Sequence, residues 1–204
     1  EMIGFDKEFC RVKSTSQKDG RELEIEIIIG KEGKTSRING VKTAKNIDLL
    51  ENVYIVVFSP EDLKIVKDEP EKRRKFIDRE LCQLKPVYYR NLGRYKKILQ
   101  QRNSLLKQQE IREDIIAVWD ESLAEYGAKL IQERMRFVEK LGGISCGISL
   151  GITSGKEALE ISYETNTAFC ENVEEQKEAL KKALRKNLKM DMMRRNTSVG
   201  PHKD

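Results

Sequence analysis

Histidine and closely spaced cysteines are what this sequence most clearly lacks. His202 is the only histidine among 204 residues, so no Ser-His-Asp or Cys-His catalytic arrangement can be built elsewhere in the chain. The four cysteines lie far apart, with no C-x-x-C pair, which argues against a zinc site and against a disulfide framework. No apolar run approaches the length of a membrane span, and no signal peptide is visible. We therefore expect a cytoplasmic protein with no metal site.

A phosphate loop is also lacking, although one stretch invites that interpretation. The stretch Gly151-x-x-x-Gly155-Lys156 places three residues between its glycines, whereas a phosphate loop needs four. Glu157 follows the lysine, at the position where a Ser or Thr hydroxyl should reach magnesium. The sequence therefore predicts no MgATP site of this kind within the chain.

Positive charge is concentrated in one window of the sequence. The whole chain has a net charge of +5, whereas residues 61–110 alone carry 14 Lys and Arg against 8 Asp and Glu, a net of +6. A local basic surface of this kind suits contacts to phosphate groups. From charge alone, however, a solvated helix face is the preferred interpretation.

The first 60 residues have the alternating pattern that is typical of β-strands. Strands are predicted at residues 8–14, 22–29 and 54–58. The dipeptides Asp19-Gly20 and Asn39-Gly40 indicate tight hairpin turns between strands. The run Tyr54–Phe58 has no polar alternation, so we expect a strand that is covered on both faces. Together these features predict a mostly antiparallel lobe.

Helical periodicity begins at Pro70 and again at Pro86, because a proline in the first turn of a helix loses no hydrogen bond. One apolar stripe, with Arg102 in a gap, consists of Tyr88, Leu92, Tyr95, Leu99 and Leu106. A second stripe consists of Ile116, Trp119, Leu123, Tyr126, Leu130, Phe137 and Leu141. Two stripes joined by the polar link 108–114 predict an antiparallel helical hairpin, with the aromatic residues in its core rather than in a base-stacking platform.

Glycine is concentrated after this second stripe. Five glycines between residues 142 and 155 predict that the helix is interrupted there, since each costs about 1 kcal/mol relative to alanine in a helix. The alternation at Leu159–Tyr163 is compatible with a strand. Residues 172–195 predict a last helix, whose acidic first turns and basic later turns complement the helix dipole.

Several short motifs occur in an order that resembles a known family. They are Phe58-Ser-Pro-Glu-Asp-Leu63, Arg73-Arg74-x-Phe76-x-Asp78, Arg94-Tyr95, Gln101-Arg102-Asn103, Leu105-Leu106-Lys107, Trp119-Asp120 and Gly200-Pro-His-Lys-Asp204. Together they resemble the RecF family of bacterial recombinational-repair ATPases, which are ABC-type ATPases related to SMC and Rad50. The motifs span most of the chain, and they are specific as a set although none would decide the matter alone.

The resemblance implies an α+β fold, in which a mostly antiparallel β lobe of an ABC-type ATPase head carries an inserted α-helical arm. The arm is expected to be an antiparallel helical hairpin with an additional helix. Residues 1–60 then form the β-rich lobe, residues 61–195 the arm domain, and residues 196–204 a segment that returns toward the head. In the family a helix usually continues where the glycines of residues 142–153 lie, so this chain departs from the family pattern there.

The family also carries motifs that this sequence does not contain. Its phosphate loop lies N-terminal to the matching region, and its signature and Walker B motifs lie C-terminal to it. We therefore expect an internal fragment that holds no cofactor and hydrolyses no ATP, whereas the intact family is a weak DNA-dependent ATPase that uses ATP and Mg.

For the intact protein the resemblance implies ATP-dependent dimerisation and binding to double-stranded and gapped DNA. It also implies cooperation with RecR and RecO, support of RecA loading, and a place in DNA replication, recombination and the SOS response. This chain is expected to contribute contacts to the DNA backbone, partner docking, or both. The alternative is a pure protein–protein interaction or dimerisation module, in which the arm docks RecR or the other protomer and makes no direct DNA contact.

The loop that follows the predicted strand at residues 54–58 carries the first set of candidate site residues. The resemblance places Ser59, Glu61 and Asp62, together with His202, near the nucleotide or dimer interface of the intact protein. The structural alternative is that Ser59 is the N-cap at the exit of a strand. We assign His202 no catalytic role in this chain.

Cations on the two predicted helices form the second set. The candidate DNA-binding residues are Lys72, Arg73, Arg74, Lys75, Arg79, Arg90, Arg94 and Lys97. Contacts from these side chains to phosphates would be independent of sequence and sensitive to salt. The structural alternative is that Arg73 or Arg74 pairs with Asp78 of the same helix.

Overall fold

A computed structural model of the chain describes residues 2–18, 20–43, 46–50, 52–108 and 112–204, without the side chains of residues 18, 46, 47 and 113. The chain divides into two compact units, Glu1–Ile55 and Val56–Asp204. The first contains strands and one short helix, and the second contains helices. The α+β prediction is therefore confirmed. Among the helices described, none combines the length and the apolar character that a bilayer crossing requires.

The first unit contains a four-stranded antiparallel sheet with its strands in chain order. The strands are β1 (Phe9–Lys18), β2 (Arg21–Gly30), β3 (Gly33–Ile38) and β4 (Val41–Lys42), and a short helix α1 (Asn46–Leu50) follows. Asn39 and Gly40 both have positive φ, at 48° and 79°, as the predicted tight turn between β3 and β4 requires. At the β1–β2 turn, Gly20 has φ of 74°, and Asp19 lies outside the described residues.

Glutamates alternate with apolar residues along β2, but Glu26 is not left to solvent. Leu23 and Ile25 are buried on β2, and Glu26 is buried as well. Arg11 of β1 and Arg37 of β3 both form ion pairs with the Glu26 carboxylate. Burial by itself raises the pKa of Glu26, but the two arginines outweigh it and hold the pKa below its usual range. The sheet therefore neutralises the most buried acid of β2 with cations from both neighbouring strands.

The expected strand at Tyr54–Phe58 is wrong. In the part of the chain that the structure describes, the sheet has four strands and its last strand ends at Lys42. Val56 is 91% exposed and Phe58 is 79% exposed. An apolar run becomes a covered strand only where other strands lie beside it and layers pack on both faces. The described residues of this chain provide no such layers around this run.

The second unit is helical. A short 3₁₀ helix (Pro60–Leu63) is followed by α2 (Lys64–Lys67), α3 (Pro70–Leu84), α4 (Pro86–Leu105), α5 (Glu113–Ile152) and α6 (Val173–Arg194). Pro70 and Pro86 occupy the first positions of α3 and α4, as predicted. Helices α4 and α5 pack against each other as the predicted hairpin, α6 packs on α5, and residues 109–111 of the link lie outside the described residues.

The two predicted stripes form the core of this unit. Tyr88 and Tyr95 of α4 are each 2% exposed, and both belong to the main hydrophobic cluster. Leu123 and Leu130 of α5 face them, and Leu180 of α6 completes the packing. The prediction that these tyrosines are core residues rather than a surface for base stacking is confirmed.

Helix α5 continues through most of the glycine-rich stretch, so the predicted interruption is wrong. The helix ends only at Ile152, with Thr153 as its C-cap. Adding residues to an existing helix is far easier than starting one, and the packed part of α5 has already met the cost of starting. Gly142 also has a packing role, because a Cβ there would lie 3.3 Å from the carbonyl oxygen of Ile161, which crosses the helix at this point.

The segment after α5 is extended but belongs to no sheet. Ser154 and Gly155 have positive φ, at 54° and 77°, and turn the chain away from the helix. Residues 156–165 then run back along the unit, and no strand is assigned at Leu159–Tyr163.

We predict that replacing Gly143, Gly147 and Gly151 with alanine stabilises α5, by about 0.5–1 kcal/mol for each substitution. A Cβ at any of these three positions meets nothing within 4 Å, so only the gain in helix propensity remains. The measurement is helical circular dichroism together with the urea-unfolding midpoint. Gly127→Ala is the matched control, because its Cβ would lie 3.2 Å from Leu180. A stabilisation by Gly127→Ala that equals the other three would contradict this account.

Candidate functional site

Two of the candidate DNA-binding arginines are held by the protein itself. The Arg73 guanidinium donates to the main-chain carbonyls of Ile65 and Asp68, at 3.2 and 2.9 Å. Arg74 donates to the main-chain carbonyl of Asp204. Arg73 therefore holds the segment that precedes α3, and Arg74 holds the C-terminal residues.

Three further candidates make exposed contacts that can be exchanged. Lys75 lies 2.6 Å from a carboxylate one turn earlier in α3, and Arg79 pairs with the adjacent glutamate at 2.8 Å. Arg94 donates to the Tyr126 hydroxyl at 2.9 Å. Water screens exposed contacts of this kind and they add little to stability, so a phosphate can replace the partner at little cost.

The remaining candidates are Lys72, Arg90 and Lys97, which are exposed. Within the described part of the chain, none of the three makes an ion pair or a side-chain hydrogen bond. Lys72, Lys75 and Arg79 follow a spacing of three and four residues on α3, and Arg90, Arg94 and Lys97 follow a spacing of four and three on α4. Each set therefore lies along one face of its helix. Six of the eight candidates form these two lines of cations.

A shallow cleft of about 340 Å³ brings part of both candidate sets together. It lies between the 3₁₀ helix and α3, and its lining includes Glu61 and Asp62 as well as Lys72, Lys75 and Arg79. The cleft is therefore of mixed charge. Its carboxylates weaken the attraction that its cations exert on a phosphate.

Ser59 and Asp62 form a capping box at the start of the 3₁₀ helix. The Asp62 carboxylate accepts from the Ser59 main-chain N–H at 2.8 Å and from its hydroxyl at 3.2 Å. The main-chain N–H of Asp62 also donates to the Ser59 carbonyl at 2.9 Å, which is the first main-chain bond of the 3₁₀ helix. Ser59 is therefore the N-cap that the alternative expected, but in the described chain it does not stand at the exit of a strand. Among the described contacts, none joins Ser59, Glu61 or Asp62 to His202.

Asp78 does not pair with Arg73 or Arg74, so the structural alternative stated for those arginines is wrong. Its carboxylate accepts instead from the Tyr88 hydroxyl, and from Nε and Nη2 of Arg134 at 3.1 and 2.8 Å. Arg134 lies on α5, and its side chain is 3% exposed. Asp78 therefore pairs with an arginine of α5, rather than with an arginine of its own helix α3.

Arg134 is the centre of a buried polar network. Besides Asp78 it donates to the Tyr88 hydroxyl at 3.0 Å, to the Tyr163 hydroxyl at 3.4 Å and to the carbonyl of Pro201. Burial raises the pKa of both tyrosine hydroxyls well above the usual value, so they remain protonated. The network joins α3, α4 and α5 to the extended segment 156–165 and to the C-terminal residues.

His202 has both ring nitrogens engaged. Nδ1 lies 2.7 Å from the Tyr95 hydroxyl, and Nε2 lies 3.1 Å from the carbonyl oxygen of Thr197. Burial lowers the pKa of His202 to about 4. Gly200 allows this close approach, because its φ is 123° and a Cβ there would lie 2.5 Å from the Tyr95 hydroxyl. In the described contacts, His202 positions the C-terminal segment.

Arg102 forms a second buried cluster. It has no exposed surface, and it donates to Asp120 of α5, to Asp191 of α6 at 2.8 Å and to the Thr197 hydroxyl at 2.8 Å. Burial raises the pKa of Asp120, and the bond to Arg102 opposes this rise. The guanidinium therefore ties all three long helices to the C-terminal segment.

Arg134 was not among the candidate residues, although the spacing of the second apolar stripe indicates it. In the first stripe a seven-residue gap separates Leu99 from Leu106, and the buried Arg102 fills it. In the second stripe an equal gap separates Leu130 from Phe137, and Arg134 fills that gap in the same way. A charged residue at a core position of a helix is almost always paired when it is buried.

The curated relatives and the similar solved structures all carry the same protein name. No family model matches the chain. The DNA replication and repair protein RecF of Clostridium perfringens (strain 13 / Type A) is 40% identical over 205 residues, which cover 100% of this chain and 56% of that protein. The same figures of identity and coverage hold over 206 residues for RecF of Clostridium botulinum (strain Loch Maree / Type A3). The chain therefore spans just over half the length of the curated relatives it matches.

Two solved structures are similar over nearly the whole chain. One is of the recombination mediator protein RecF-ATPrS in the RecFOR pathway, with a TM-score of 0.90 and 34% identity over 98% of this chain and 55% of that one. The other is of RecF-ATP in the same pathway, with a TM-score of 0.88 and 36% identity over 97% of this chain and 54% of that one.

We predict that Arg134→Gln destabilises the helical unit by about 3–5 kcal/mol, because it leaves the partly buried Asp78 carboxylate without its cation and breaks the buried network around Arg134. Urea unfolding followed by circular dichroism measures this loss. Arg136→Gln is the matched control on the same helix. The side chain of Arg136 is 60% exposed, so its loss should stay within about 0.5 kcal/mol. Equal effects of the two substitutions would show that the buried network carries no special stability.

We predict that the His202 ring takes up a proton only near pH 4, whereas the unfolded chain does so near its usual pKa of about 6.5. The stability that this difference provides is complete above about pH 6.5, and it is lost as the pH falls toward 4. Its size is roughly 3 kcal/mol. Because the chain has one histidine, its ring C–H resonances report the titration directly. A titration midpoint near 6.5 in the folded protein would refute the prediction.

Proposed function

Because this chain belongs to the RecF family, we propose that it acts in DNA replication and repair, as part of a protein that binds ATP and works in the RecFOR pathway. The relatives at 40% identity are proteins of replication and repair, and the similar solved structures are of RecF with ATP or ATPrS. The activities of the whole protein are proposed for the longer polypeptide, of which this chain matches about half. They include dimerisation that depends on ATP and Mg, and work with RecR, RecO and RecA.

The contribution we propose for this chain is contact to the DNA backbone through α3 and α4. This proposal rests on the two cation lines. Each line consists of three side chains along one face of its helix, and the two helices follow each other in the chain. Lys72, Arg90 and Lys97 have no internal partner to give up among the described residues. Cations so arranged bind phosphates without reading the base sequence. Gapped and double-stranded DNA are the proposed ligands.

We further propose that this chain by itself holds no MgATP and hydrolyses no ATP. The stretch from Gly151 to Lys156 is the C-terminal end of α5 followed by an extended segment, whereas a phosphate loop precedes a helix. In the longer protein, Ser59, Glu61, Asp62 and His202 remain proposed neighbours of the nucleotide or the dimer interface. Of the four, only Glu61 has a side chain that is not engaged in a described hydrogen bond.

A second candidate function is a protein–protein interaction or dimerisation module without DNA contact. It is favoured by the internal engagement of five of the eight candidate cations, and by the carboxylates that line the cleft beside α3. In that case the cation lines keep the protein in solution, and RecR or a second protomer docks on the arm.

We predict that the triple variant Lys72→Glu, Arg90→Glu, Lys97→Glu binds a fluorescent gapped duplex more weakly than the unchanged chain does. Its binding should also depend less on salt, with the slope of log K against log salt reduced by about 0.9 for each phosphate that the variant no longer neutralises. Fluorescence anisotropy at several salt concentrations measures both quantities. Arg73 and Arg74 are left unchanged, because they hold main-chain carbonyls and their loss would disturb the fold.

The matched control is Lys182→Glu, Lys186→Glu, Lys189→Glu on α6. These exposed lysines have the same spacing as the α4 line and the variant carries the same change of charge. If the control variant weakens DNA binding as much as the test variant does, the effect comes from overall charge and not from the cation lines. No binding by the unchanged chain at low salt would favour the interaction module. The same preparations are assayed for phosphate release from ATP, and none is expected.

A further inference from the structure

The C-terminal part of α5 carries a four-residue repeat. Residues 143–154 read Gly-Ile-Ser-Cys, Gly-Ile-Ser-Leu and Gly-Ile-Thr-Ser. Residues four apart lie one above another on a helix, so the glycines form one row and the isoleucines form the neighbouring row. The glycine row is a groove, and the isoleucine row beside it is a ridge.

The repeat exposes its apolar face. Ile144, Ile148 and Ile152 are 65%, 59% and 80% exposed. The hydroxyl-bearing positions of the repeat are half-buried instead, and Ser149 donates to the Glu157 carbonyl of the extended segment at 3.1 Å. An amphipathic helix normally turns its apolar face inward and its polar face outward. The exposed isoleucine row is therefore the face that a further layer would cover.

The glycine row faces open space. Outside the backbone of the helix itself, a Cβ at Gly143, Gly147 or Gly151 would meet none of the described residues within 4 Å. The C-terminal residues contact α5 at Arg134, whose side chain donates to the carbonyl of Pro201. At 1.5 Å per residue, Gly143 lies about 14 Å further along the helix than Arg134, and Gly151 about 26 Å further. The groove is therefore open along its length and distant from the C-terminal residues.

Charge is absent from this face but present at both of its ends. No Asp, Glu, Lys or Arg occurs in residues 141–155, although these residue types make up 36% of the chain. Glu139 and Lys140 precede the face, and Lys156 and Glu157 follow it. Glu139 and Lys156 are exposed, and neither forms an ion pair among the described residues. An uncharged face suits neither nucleic acid nor a strongly charged partner.

We propose that this face packs against the same face of a second copy of the chain, with the two α5 helices antiparallel. The two-fold axis passes between Gly147 and Ile148, so that the ridge of each copy enters the groove of the other. Gly147 of one copy then faces Ile148 of the second copy, and Gly143 faces Ile152 in the same way. This contact is separate from the cation lines of α3 and α4, and it does not depend on the DNA contact proposed for them.

The charges at the two ends favour the same arrangement independently. With the axis between Gly147 and Ile148, Glu139 of one copy lies opposite Lys156 of the second copy, and the symmetry provides this pair twice. Lys156 stays beside the end of the helix, because its main-chain N–H donates to the Thr153 carbonyl at 3.2 Å. A parallel arrangement would instead bring the two copies of Glu139 together, and like charges repel. Apolar packing and charge therefore select the same occupant in the same direction.

Sedimentation velocity of the whole chain, without DNA or nucleotide, tests the self-association. The face is short, about 14 Å from Gly143 to Ile152, so we expect a weak monomer–dimer equilibrium at concentrations between about 1 μM and 1 mM. Gly147→Leu should weaken the dimer about tenfold or more, because the new side chain fills the groove. Gly93→Leu on α4 is the matched control, since Gly93 is also an exposed helical glycine with open space at its Cβ. Both variants add the same apolar surface, so association through apolar surface in general would strengthen in both.

An exchange of charges tests the direction of the two helices. Glu139→Lys and Lys156→Glu should each weaken the dimer about threefold or more, because each places like charges opposite each other twice. The two substitutions change the net charge in opposite directions, so an effect of overall charge would strengthen the dimer in one variant and weaken it in the other. The double variant Glu139→Lys/Lys156→Glu again has opposite charges across an antiparallel dimer, and it should regain the original affinity.

Three results would each overturn the proposal. A monomer throughout the concentration range would leave the face to a different protein or to a lipid surface. Equal association of Gly147→Leu and Gly93→Leu would show that the groove is not used. A double charge variant that associates no more strongly than the single variants would exclude the antiparallel arrangement.

Discussion

The burial of one guanidinium group sets the condition under which the helical unit can fold. Arg102 has no exposed surface, and a buried cation costs several kcal/mol unless carboxylates and hydrogen bonds compensate for it. Asp120 comes from α5 and Asp191 from α6, so the compensation exists only when both helices are in place. Arg134 imposes a similar condition on α3, through Asp78, and on the C-terminal residues. The helical unit is therefore stabilised by two buried charges whose partners come from all of its long helices.

The sequence allowed the type of most elements to be predicted, since periodicity is a local property. The hairpin of α4 and α5, the first-turn prolines and the turn at Asn39-Gly40 all follow from residues close together in the chain. Two of the errors have a common cause. Whether the run Tyr54–Phe58 is covered, and whether α5 survives its glycines, depends on what packs there rather than on local propensity.

The candidate site was predictable in its charge but not in its chemistry. The eight cations could be read directly from the sequence, but their partners could not. Arg74 reaches a residue 130 positions away, and Arg102 reaches Asp191 at a separation of 89. Contacts over such separations are decided by the tertiary fold, so a pattern within one helix carries no information about them. For this reason the sequence did not reveal that Arg73 and Arg74 both donate to main-chain carbonyls.

The hydrogen bond between Arg74 and Asp204 also bears on how the helical unit forms. It joins the second turn of α3 to a residue 130 positions away, so it closes a loop that contains α4, α5 and α6. Closing a loop costs chain entropy, which rises only slowly with the number of residues enclosed. Once the helices inside the loop have packed, the two ends are already close together, and the contact forms at little further entropic cost.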